Sequence, residues 1–291
     1  MFARSRLTRK HLKVLIVLAV FLLILAIFLG SNLILRRVNY TVTLPRLPEA
    51  FDGMVIVHLS DLHMQRLSCD RLIRHIEQAG PDIIVFTGDL WSRPLQLNDR
   101  RTDAIGVFFD RLTAIAPTYF VTGNHDIAIR QFMPRVTPVL RQAGVVLLRN
   151  DYLPIARQTA DGQTQAIYLA GIDDPLEWHR RDMIEYLRAR IDDMADNEPF
   201  TLLLTHRYTR LRQYAENGFD LVLAGHSHGG SVRLPWIGPI FGTTRTFFPQ
   251  HAEGISHMDD TVMVTSRGLA SWFPPRFLTT AEVVVITLRS G

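Results

Sequence analysis

Five clusters of polar residues, each placed directly after a short apolar segment, contain side chains that can bind metal ions. Their carboxylate, imidazole and amide groups, without a thiolate, suit Mn²⁺, Fe or Zn²⁺ better than they suit a structural zinc site. Such a donor set predicts a catalytic metal site. The clusters are residues 60–63, 87–89, 122–126, 206 and 225–230.

The spacing within two of the clusters places pairs of donors together. Asp61 and His63 are separated by one residue, as are His226 and His228. Alternate side chains of an extended backbone point to the same side, so each pair can face one ion. Gly225 precedes the second pair and lets the backbone approach closely at the turn.

The number of donors is sufficient for two ions. With one bridging carboxylate, seven residues provide four ligands to each ion, and two ions about 3.5–4 Å apart can activate a hydroxide for in-line phosphoryl displacement. A single Asp or His after a strand is more often a helix cap or a turn residue, but five such clusters in one domain favour metal binding. The candidates are Asp61, His63, Asp89, Asn124, His206, His226 and His228.

The elements that must position these clusters alternate between strands and helices, which predicts an α/β domain. Ligands of such folds bind beyond the carboxyl ends of the strands, where the clusters lie. The Asp161-Gly162 pair predicts a hairpin turn. Helices are predicted at 72–79, 102–115, 132–143 and 183–194, and strands at 54–59, 83–86, 119–121, 145–148, 166–170, 200–205, 221–224, 262–265 and 283–288.

The first 50 residues differ from the rest of the chain. Residues 14–35 carry no charge, and a helix of about 20 such residues can cross the hydrocarbon core of a membrane. A buried core helix and a cleaved signal peptide are the alternatives, but signal peptides have apolar regions of only about 7–15 residues and a clear cleavage site. We therefore predict a basic flank at 1–13, a single transmembrane signal anchor at 14–35, an extended linker at 36–50 and one catalytic domain at 51–291.

The net charge of +4 comes from this N-terminal segment. Residues 1–50 contain eight basic residues and one acidic residue, so the remaining part of the chain has a net charge of −3. An acidic domain without a run of basic and aromatic residues argues against extended nucleic-acid binding. Cys69 is the only cysteine among the 291 residues, which excludes a disulfide framework.

The order and spacing of the clusters resemble those of the calcineurin-like metallophosphoesterases over residues 51–291. The resemblance implies a four-layer α-β-β-α sandwich and two divalent metal ions, with Mn²⁺ favoured and Fe or Zn²⁺ as alternatives. One ion would be bound by Asp61, His63, Asp89 and His228, and the other by Asp89, Asn124, His206 and His226. The matching motifs are Asp61-x-His63, Gly88-Asp89, Gly123-Asn124-His125-Asp126, His206 and Gly225-His226-x-His228.

The same resemblance implies catalytic roles for His125 and Asp126. His125 would hydrogen-bond the phosphoryl group or protonate the leaving oxygen, and an imidazole beside a metal pair is well suited to such work. Asp126 would hold and orient the His125 ring. The sequence departs from the family pattern at Tyr208 and Ser231, which affects the expected pocket wall rather than the ligands.

Residues 225–235, residues 264–268 and Pro274-Pro275-Arg276 look most like a membrane-bound bacterial branch. That branch includes enzymes similar to the UDP-diacylglucosamine pyrophosphatases of lipid A synthesis. The likeness implies hydrolysis of a phosphodiester or pyrophosphate bond in a lipid-linked substrate, with the phospholipid bilayer as partner. We expect a protein of the bacterial inner membrane. Five basic residues before the anchor and three after it place the domain on the periplasmic side, whereas a nucleotide-linked lipid precursor would be made inside.

Substrate contacts are predicted near the metal clusters. Residues 234–241 and 247–249 are apolar, and they could receive an acyl chain or enter the bilayer interface, with ordinary packing under a long loop as the alternative. Trp236 is the candidate side chain of this stretch. Guanidinium groups fit phosphate oxygens, although each arginine alone is more often a solvated surface residue. The candidates are Arg130, Arg135, Arg233 and Arg245.

Two other functions remain open at this point. A phosphomonoesterase or protein phosphatase would use the same fold and the same metal ligands. A non-catalytic, membrane-tethered scaffold would have lost some of them, yet all seven ligand candidates and His125 are present.

Overall fold

Two six-stranded sheets pack face to face in the computed structural model, and helices cover the outer face of each sheet. The chain therefore forms a four-layer α-β-β-α sandwich, which confirms the predicted fold class. The structure describes residues 9–64, 69–92, 98–174, 181–194, 198–230, 232–234, 236–270 and 276–291.

The first sheet is mainly parallel. Its strands are, in spatial order, β1 (Leu35–Leu44), β14 (Ala281–Ser290), β2 (Val55–Leu59), β3 (Ile83–Phe86), β4 (Thr118–Phe120) and β5 (Val146–Leu147). Strands β14 and β2 are antiparallel, and every other neighbouring pair is parallel. Because β2, β3 and β4 run in the same direction, their carboxyl ends lie at one edge.

The second sheet has a parallel centre and a hairpin at each edge. Its strands are, in spatial order, β12 (Gly254–Met258), β13 (Thr261–Thr265), β9 (Leu221–Ala224), β8 (Thr201–Thr205), β7 (Thr164–Gly171) and β6 (Asp151–Gln158). The outer pairs β12–β13 and β6–β7 are antiparallel. A separate two-stranded sheet, β10 (Val232–Leu234) with β11 (Gly238–Phe241), follows the last metal-capable cluster.

The central strands are apolar on both faces because both of their faces are buried. In β3, for example, Ile83 and Val85 belong to the core between the two sheets. Ile84 and Phe86 point the other way, into the core between the first sheet and its helices. The alternation of side chains thus connects two hydrophobic cores through one strand.

Seven helices are present in the described part of the chain. Asn98 caps α3, since its side chain accepts a hydrogen bond from the backbone N–H of Arg101 at 3.0 Å. Two 3-10 turns lie at Glu49–Phe51 and Tyr208–Arg210. The helices are α1 (Arg9–Leu33), α2 (Cys69–Glu77), α3 (Asp99–Thr113), α4 (Asn124–Ala128), α5 (Phe132–Gln142), α6 (Arg181–Met194) and α7 (Leu211–Glu216).

The prediction that residues 36–50 form an extended linker is wrong for most of the segment. Most of it forms β1, which pairs with β14 along its whole length as the edge of the first sheet. Val42 and Leu44 pack in the core between the sheets, so this part of the segment belongs to the folded domain. The sequence also does not predict strand β6. This strand lies partly exposed at the edge of the sheet, so its sequence has no continuous apolar run.

Helix α1 is long and apolar enough to cross a membrane. Its C-terminal end is attached to the domain by three hydrogen bonds. The Asn32 side chain donates to Arg276 O at 2.9 Å and accepts from Arg276 N at 3.1 Å, and Leu278 N donates to Ser31 Oγ at 2.9 Å. The helix therefore leaves the domain beside residues 276–278.

Candidate metal centre

The metal-capable clusters meet where the carboxyl ends of five strands from both sheets converge. Backbone hydrogen bonds tie the loop after β2 to the loop after β3: Asp61 N donates to Gly88 O at 2.9 Å, and His63 N donates to Asp89 O at 3.0 Å. The loop after β9 joins them, since His226 N donates to Asp61 Oδ2 at 3.1 Å.

One group of possible ligand atoms contains Asp61, His63 and His228. Asp61 Oδ1 lies 3.8 Å from His63 Nε2 and 3.5 Å from His228 Nε2. The two Nε2 atoms are 3.4 Å apart. Three donor atoms at these separations can face one cation.

A second group contains Asp89, His206 and His226. His206 Nε2 lies 3.2 Å from Asp89 Oδ2 and 3.2 Å from His226 Nδ1. Asp89 Oδ2 is also 3.8 Å from His63 Nε2, a member of the first group. Asp89 therefore lies between the two groups, where a bridging carboxylate has to be.

Two buried oxygens show that the donor set fits metal ions. Asp61 Oδ1 and Asn124 Oδ1 are buried, and neither has a hydrogen-bond partner within the described residues. Leaving a buried acceptor unpaired costs about 1–3 kcal/mol, more for a charged group, and a bound cation removes that cost. Carboxylate, amide and imidazole groups together suit a catalytic dinuclear site.

Contacts on the far side of the ligands fix their orientation. His206 Nδ1 is 2.7 Å from Thr87 O, and His228 Nδ1 is 3.0 Å from Ala270 O. Each carbonyl accepts the ring hydrogen on Nδ1, so Nε2 is the ring nitrogen directed at the site. The Ser60 hydroxyl donates to Asp61 Oδ2 at 2.6 Å, so the other oxygen remains available.

The ligand residues adopt an unusual backbone conformation. Positive φ angles are uncommon for residues other than glycine, and they occur at functional sites where the surrounding structure enforces them. Here the φ values are 53° at Asp61, 49° at His63, 56° at Asp89, 67° at His226 and 50° at His228. The tight turns direct these side chains into one space.

Gly123 permits a close approach of the loop after β4 to Asp89. A Cβ atom at this position would overlap the side chain and the backbone nitrogen of Asp89. A larger residue would therefore push away the carboxylate that lies between the two groups. The glycine in this motif is required by packing against Asp89.

Burial keeps two of the histidines neutral. It lowers the pKa of His63 to about 4 and the pKa of His228 to about 3. A neutral imidazole is the form that binds a metal. For His206, burial alone would lower the pKa, but the Asp89 carboxylate beside it raises the pKa to about 10. Asp89 and His206 therefore form an ion pair. His206 would have to lose this proton before it could bind a metal ion.

His125 lies at the open side of the centre. Its ring meets the ring of His63 edge-on with centroids 5.0 Å apart, and its Nε2 is 4.0 Å from Asp89 Oδ2. The side chain is 38% exposed, in contrast to the buried ligand candidates beside it. His125 N donates to Asp89 Oδ1 at 2.8 Å, which holds the residue against the metal-capable groups.

The predicted role of Asp126 is wrong in this structure. Its Oδ2 accepts hydrogen bonds from Asp89 N and Gly123 N, both at 2.8 Å, and its Oδ1 accepts one from Trp91 N at 3.2 Å. Burial and the Asp89 charge raise the pKa of Asp126 to about 8, and the N–H donors oppose this rise. Asp126 therefore joins the loops after β3 and β4 instead of orienting the His125 ring.

Two of the four arginines predicted as substrate contacts are paired with carboxylates. Arg135 pairs with Asp99 at 2.8 Å and Arg233 with Glu253 at 2.6 Å, whereas Arg130 and Arg245 are exposed. Trp236 is fully exposed at the turn between β10 and β11. Ser231, Pro235 and Pro274-Pro275 lie outside the described residues.

Arg207 lies at the site but was not among the residues predicted from the sequence. Its Nη1 lies 2.9 Å from His226 Nε2, at the edge of the second ligand group. Its position directly after the ligand candidate His206 was the signal that could have identified it.

Comparison with known proteins identifies the family of this chain. The calcineurin-like phosphoesterase family model matches residues 54–230. The uncharacterised metallophosphoesterase YkuE of Bacillus subtilis is 30% identical over 262 residues, which cover 88% of this chain and 86% of that protein. The phosphodiesterase YaeI of Escherichia coli is 27% identical, covering 80% of this chain and 81% of that protein. A transmembrane protein with a metallophosphoesterase domain from Danio rerio is 29% identical, covering 68% and 45%. This chain therefore belongs to the calcineurin-like phosphoesterase family and is a metal-dependent phosphoester hydrolase.

Proposed function

We propose that this protein is a membrane-anchored phosphodiesterase or pyrophosphatase that uses two divalent metal ions and acts on a lipid-linked substrate. The observation that carries the metal part of the proposal is the position of Asp89. One of its oxygens lies 3.2 Å from His206 and 3.8 Å from His63, so the carboxylate touches both ligand groups.

Each ligand group would hold one ion. The first ion would be bound by Asp61, His63, Asp89 and His228, and the second by Asp89, Asn124, His206 and His226. We propose Mn²⁺, with Fe or Zn²⁺ as alternatives, because the donors are nitrogen and oxygen atoms. Bound ions supply an activated water and neutralise the charge that develops on the phosphoryl group.

His125 would act as the general acid. It is positioned beside the ligand groups, and its ring is partly exposed, so it can reach a leaving oxygen as well as solvent. Asp126 supports this arrangement indirectly, because it fixes the backbone of the loops that carry Asp89 and His125. A positioned imidazole of this kind contributes about 10²–10⁴-fold to the rate.

A lipid-linked substrate is supported by the place where helix α1 meets the domain. Asn32, at the end of the helix, is hydrogen-bonded to Arg276. The Arg276 guanidinium donates to Ala270 O, and the same carbonyl contacts His228 Nδ1. A short chain of contacts thus links the end of the anchor to a metal ligand, and the site would lie close to the membrane surface.

An exposed apolar hairpin beside the site supports the same conclusion. In the region of β10 and β11, Trp236 is fully exposed, and Ile237, Phe247 and Phe248 are 63%, 73% and 63% exposed. Thr243, in the loop after β11, donates to His226 O at 2.8 Å, which places this hairpin next to the ligands. Exposed aromatic residues of this kind are typical of contacts with the bilayer interface or with an acyl chain.

The proposed substrate class is a UDP-diacylglucosamine-like molecule of the lipid A pathway, and the proposed location is the bacterial inner membrane. The flanking basic residues favour a periplasmic domain. These two ideas conflict, because a nucleotide-linked lipid precursor would be made inside, and a reporter fused after Gly291 decides between them. Activity of a cytoplasmic reporter supports a nucleotide-linked lipid as the substrate. Activity of a periplasmic reporter excludes that substrate and leaves a phosphodiester located outside the cell membrane as the candidate.

Hydrolysis of bis-p-nitrophenyl phosphate by the purified full-length protein with Mn²⁺ tests the catalytic proposal. We expect turnover by the wild type and loss of turnover in Asp89→Ala. His257→Ala is the matched control, because this exposed histidine of β12 lies outside the ligand groups. Equal rates for wild type and Asp89→Ala would refute the mechanism, and faster hydrolysis of the monoester p-nitrophenyl phosphate would favour a phosphomonoesterase.

A further inference from the structure

We propose that Arg207 binds a phosphoryl oxygen of the substrate and that Asp174 holds its guanidinium group in place. The inference rests on the proposed function, because it assigns a substrate contact to the same site. Asp174 lies in the loop after β7, and Arg207 follows the last residue of β8 by two positions.

The ion pair with Asp174 fixes one edge of the guanidinium. Arg207 Nε lies 2.5 Å from Asp174 Oδ2, and Arg207 Nη2 lies 3.0 Å from Asp174 Oδ1. The Asp174 side chain is fully buried and the Arg207 side chain is 23% exposed. A two-point contact of this type sets the plane of the group and leaves Nη1 as the free end.

The free end contacts a ligand candidate of the metal centre. Arg207 Nη1 is 2.9 Å from His226 Nε2, and the opposite nitrogen of the same ring, Nδ1, is 3.2 Å from His206 Nε2. Nδ1 is therefore the His226 atom that belongs to the ligand group. The guanidinium therefore contacts the other nitrogen of that ligand's ring.

Ligation of His226 changes what Arg207 can bond to. When Nδ1 is used as a ligand, the ring hydrogen is on Nε2, which then is a donor. A guanidinium has only donors, so Nη1 and Nε2 no longer form a hydrogen bond. Nη1 must find another acceptor next to the centre, and a phosphoryl oxygen of a bound substrate matches it in charge and geometry.

Arg276, the other arginine close to the ligands, has a different environment. Its Nη2 donates to Gly268 O and Ala270 O, at 3.0 and 3.1 Å. These carbonyl contacts occupy the group and stabilise the loop that contacts His228. Arg207 is held by a side chain that leaves one end directed at the site, which is what a phosphate-binding arginine requires.

Binding of inorganic phosphate to the Mn²⁺-loaded full-length protein, measured by calorimetry, tests the inference together with steady-state kinetics on bis-p-nitrophenyl phosphate. Loss of a charged hydrogen bond predicts about 10- to 150-fold weaker phosphate binding and a similar rise in KM. Arg207→Lys keeps the charge but loses the two-point contact. Because Arg207→Met alone would leave Asp174 buried and unpaired, the second variant is Arg207→Met with Asp174→Asn.

The metal content of each variant separates a substrate contact from a structural role. We expect both variants to bind Mn²⁺ at least as well as the wild type, because a positive charge beside His226 is removed or moved. Unchanged phosphate affinity and KM would overturn the inference, as would weaker phosphate binding that is fully explained by lost Mn²⁺. Failure of the proposed function can be told apart from failure of this inference. In that case the wild type would bind phosphate without hydrolysing the diester.

Discussion

Replacement of Gly225 by alanine should damage the metal centre through a single added methyl group. The residue lies where the end of β9 crosses the loop after β2. A Cβ atom there would overlap Ser60 Oγ and would lie 3.0 Å from Ser60 Cβ and 2.8 Å from Asp61 Oδ2. Ordinary contacts of such atoms are about 3.5–4.0 Å, so Ser60 and Asp61 must move.

The expected cost has two parts. Overpacking of a tight site costs about 1–3 kcal/mol. Displacing Ser60 Oγ also breaks its 2.6 Å hydrogen bond to Asp61 Oδ2, and a hydrogen bond to a charged group contributes about 1.5–3 kcal/mol. Together these terms lower the free energy of unfolding by about 2.5–6 kcal/mol, a large fraction of the roughly 5–15 kcal/mol of a typical domain.

Urea denaturation and metal analysis measure the two consequences. We expect a lower urea midpoint for Gly225→Ala and, after Mn²⁺ loading and desalting, a decrease from two ions per chain towards one, because Asp61 belongs to only one ligand group. Gly106→Ala is the matched control. Its Cβ would meet one Val139 methyl group at 3.1 Å, which needs only a small shift, and Gly106 lies inside helix α3, where alanine is favoured by about 1 kcal/mol.

A second variant identifies the atoms that cause the effect. Combining Gly225→Ala with Ser60→Ala removes the worst overlap, so the two substitutions should be less damaging together than the sum of their separate effects. An unchanged urea midpoint and two ions per chain in Gly225→Ala would refute the packing argument. Loss of stability with full metal content would refute the link to Asp61.

Four further predictions test other parts of the structure. Asn32→Ala removes two hydrogen bonds to Arg276, worth about 1–3 kcal/mol together; hydrogen exchange at the Arg276 amide should become about 5- to 150-fold faster, and unchanged exchange would show that helix α1 is not attached there. Asp126→Ala leaves three backbone N–H groups without acceptors, so its free energy of unfolding should fall by at least about 3 kcal/mol. His125→Ala should keep its urea midpoint but lose about 10²–10⁴-fold in turnover. A similar loss of turnover in Asp126→Ala, with an unchanged urea midpoint, would restore the predicted role of Asp126. Removal of bound metal by a chelator should lower stability by about 2.7 kcal/mol relative to protein with free metal at 100 times its dissociation constant, and an unchanged melting temperature would contradict metal binding by the folded state.

Local sequence patterns predicted most of the central elements. Strand β3 was predicted at residues 83–86 and β9 at residues 221–224, as the structure has them. Both strands are buried on two faces, so their composition is apolar throughout and the signal is strong. The sequence predicts a linker in place of strand β1, because β1 is an edge strand and edge strands need only a partly apolar sequence.

The site shows the same division between local and long-range information. The types and order of the ligand candidates are visible in the chain, because motifs such as Asp61-x-His63 are contained in a few residues. The role of Asp126 was mispredicted, since its hydrogen bonds reach the loop 35–37 residues earlier in the chain. Adjacency to His125 suggested a contact that the short helix α4 does not make.

The sequence by itself determined which donors the protein possesses, where the apolar N-terminal helix lies and which family the chain resembles. Only the tertiary structure decided that His63 and His228, 165 residues apart, are neighbours. It also placed Asp89 between two ligand groups, directed Arg207 to the metal centre and attached the end of helix α1 beside the site. The physical reason is that residue types are local properties, whereas these contacts depend on how two sheets pack and on tight turns at positive φ that the surrounding fold enforces.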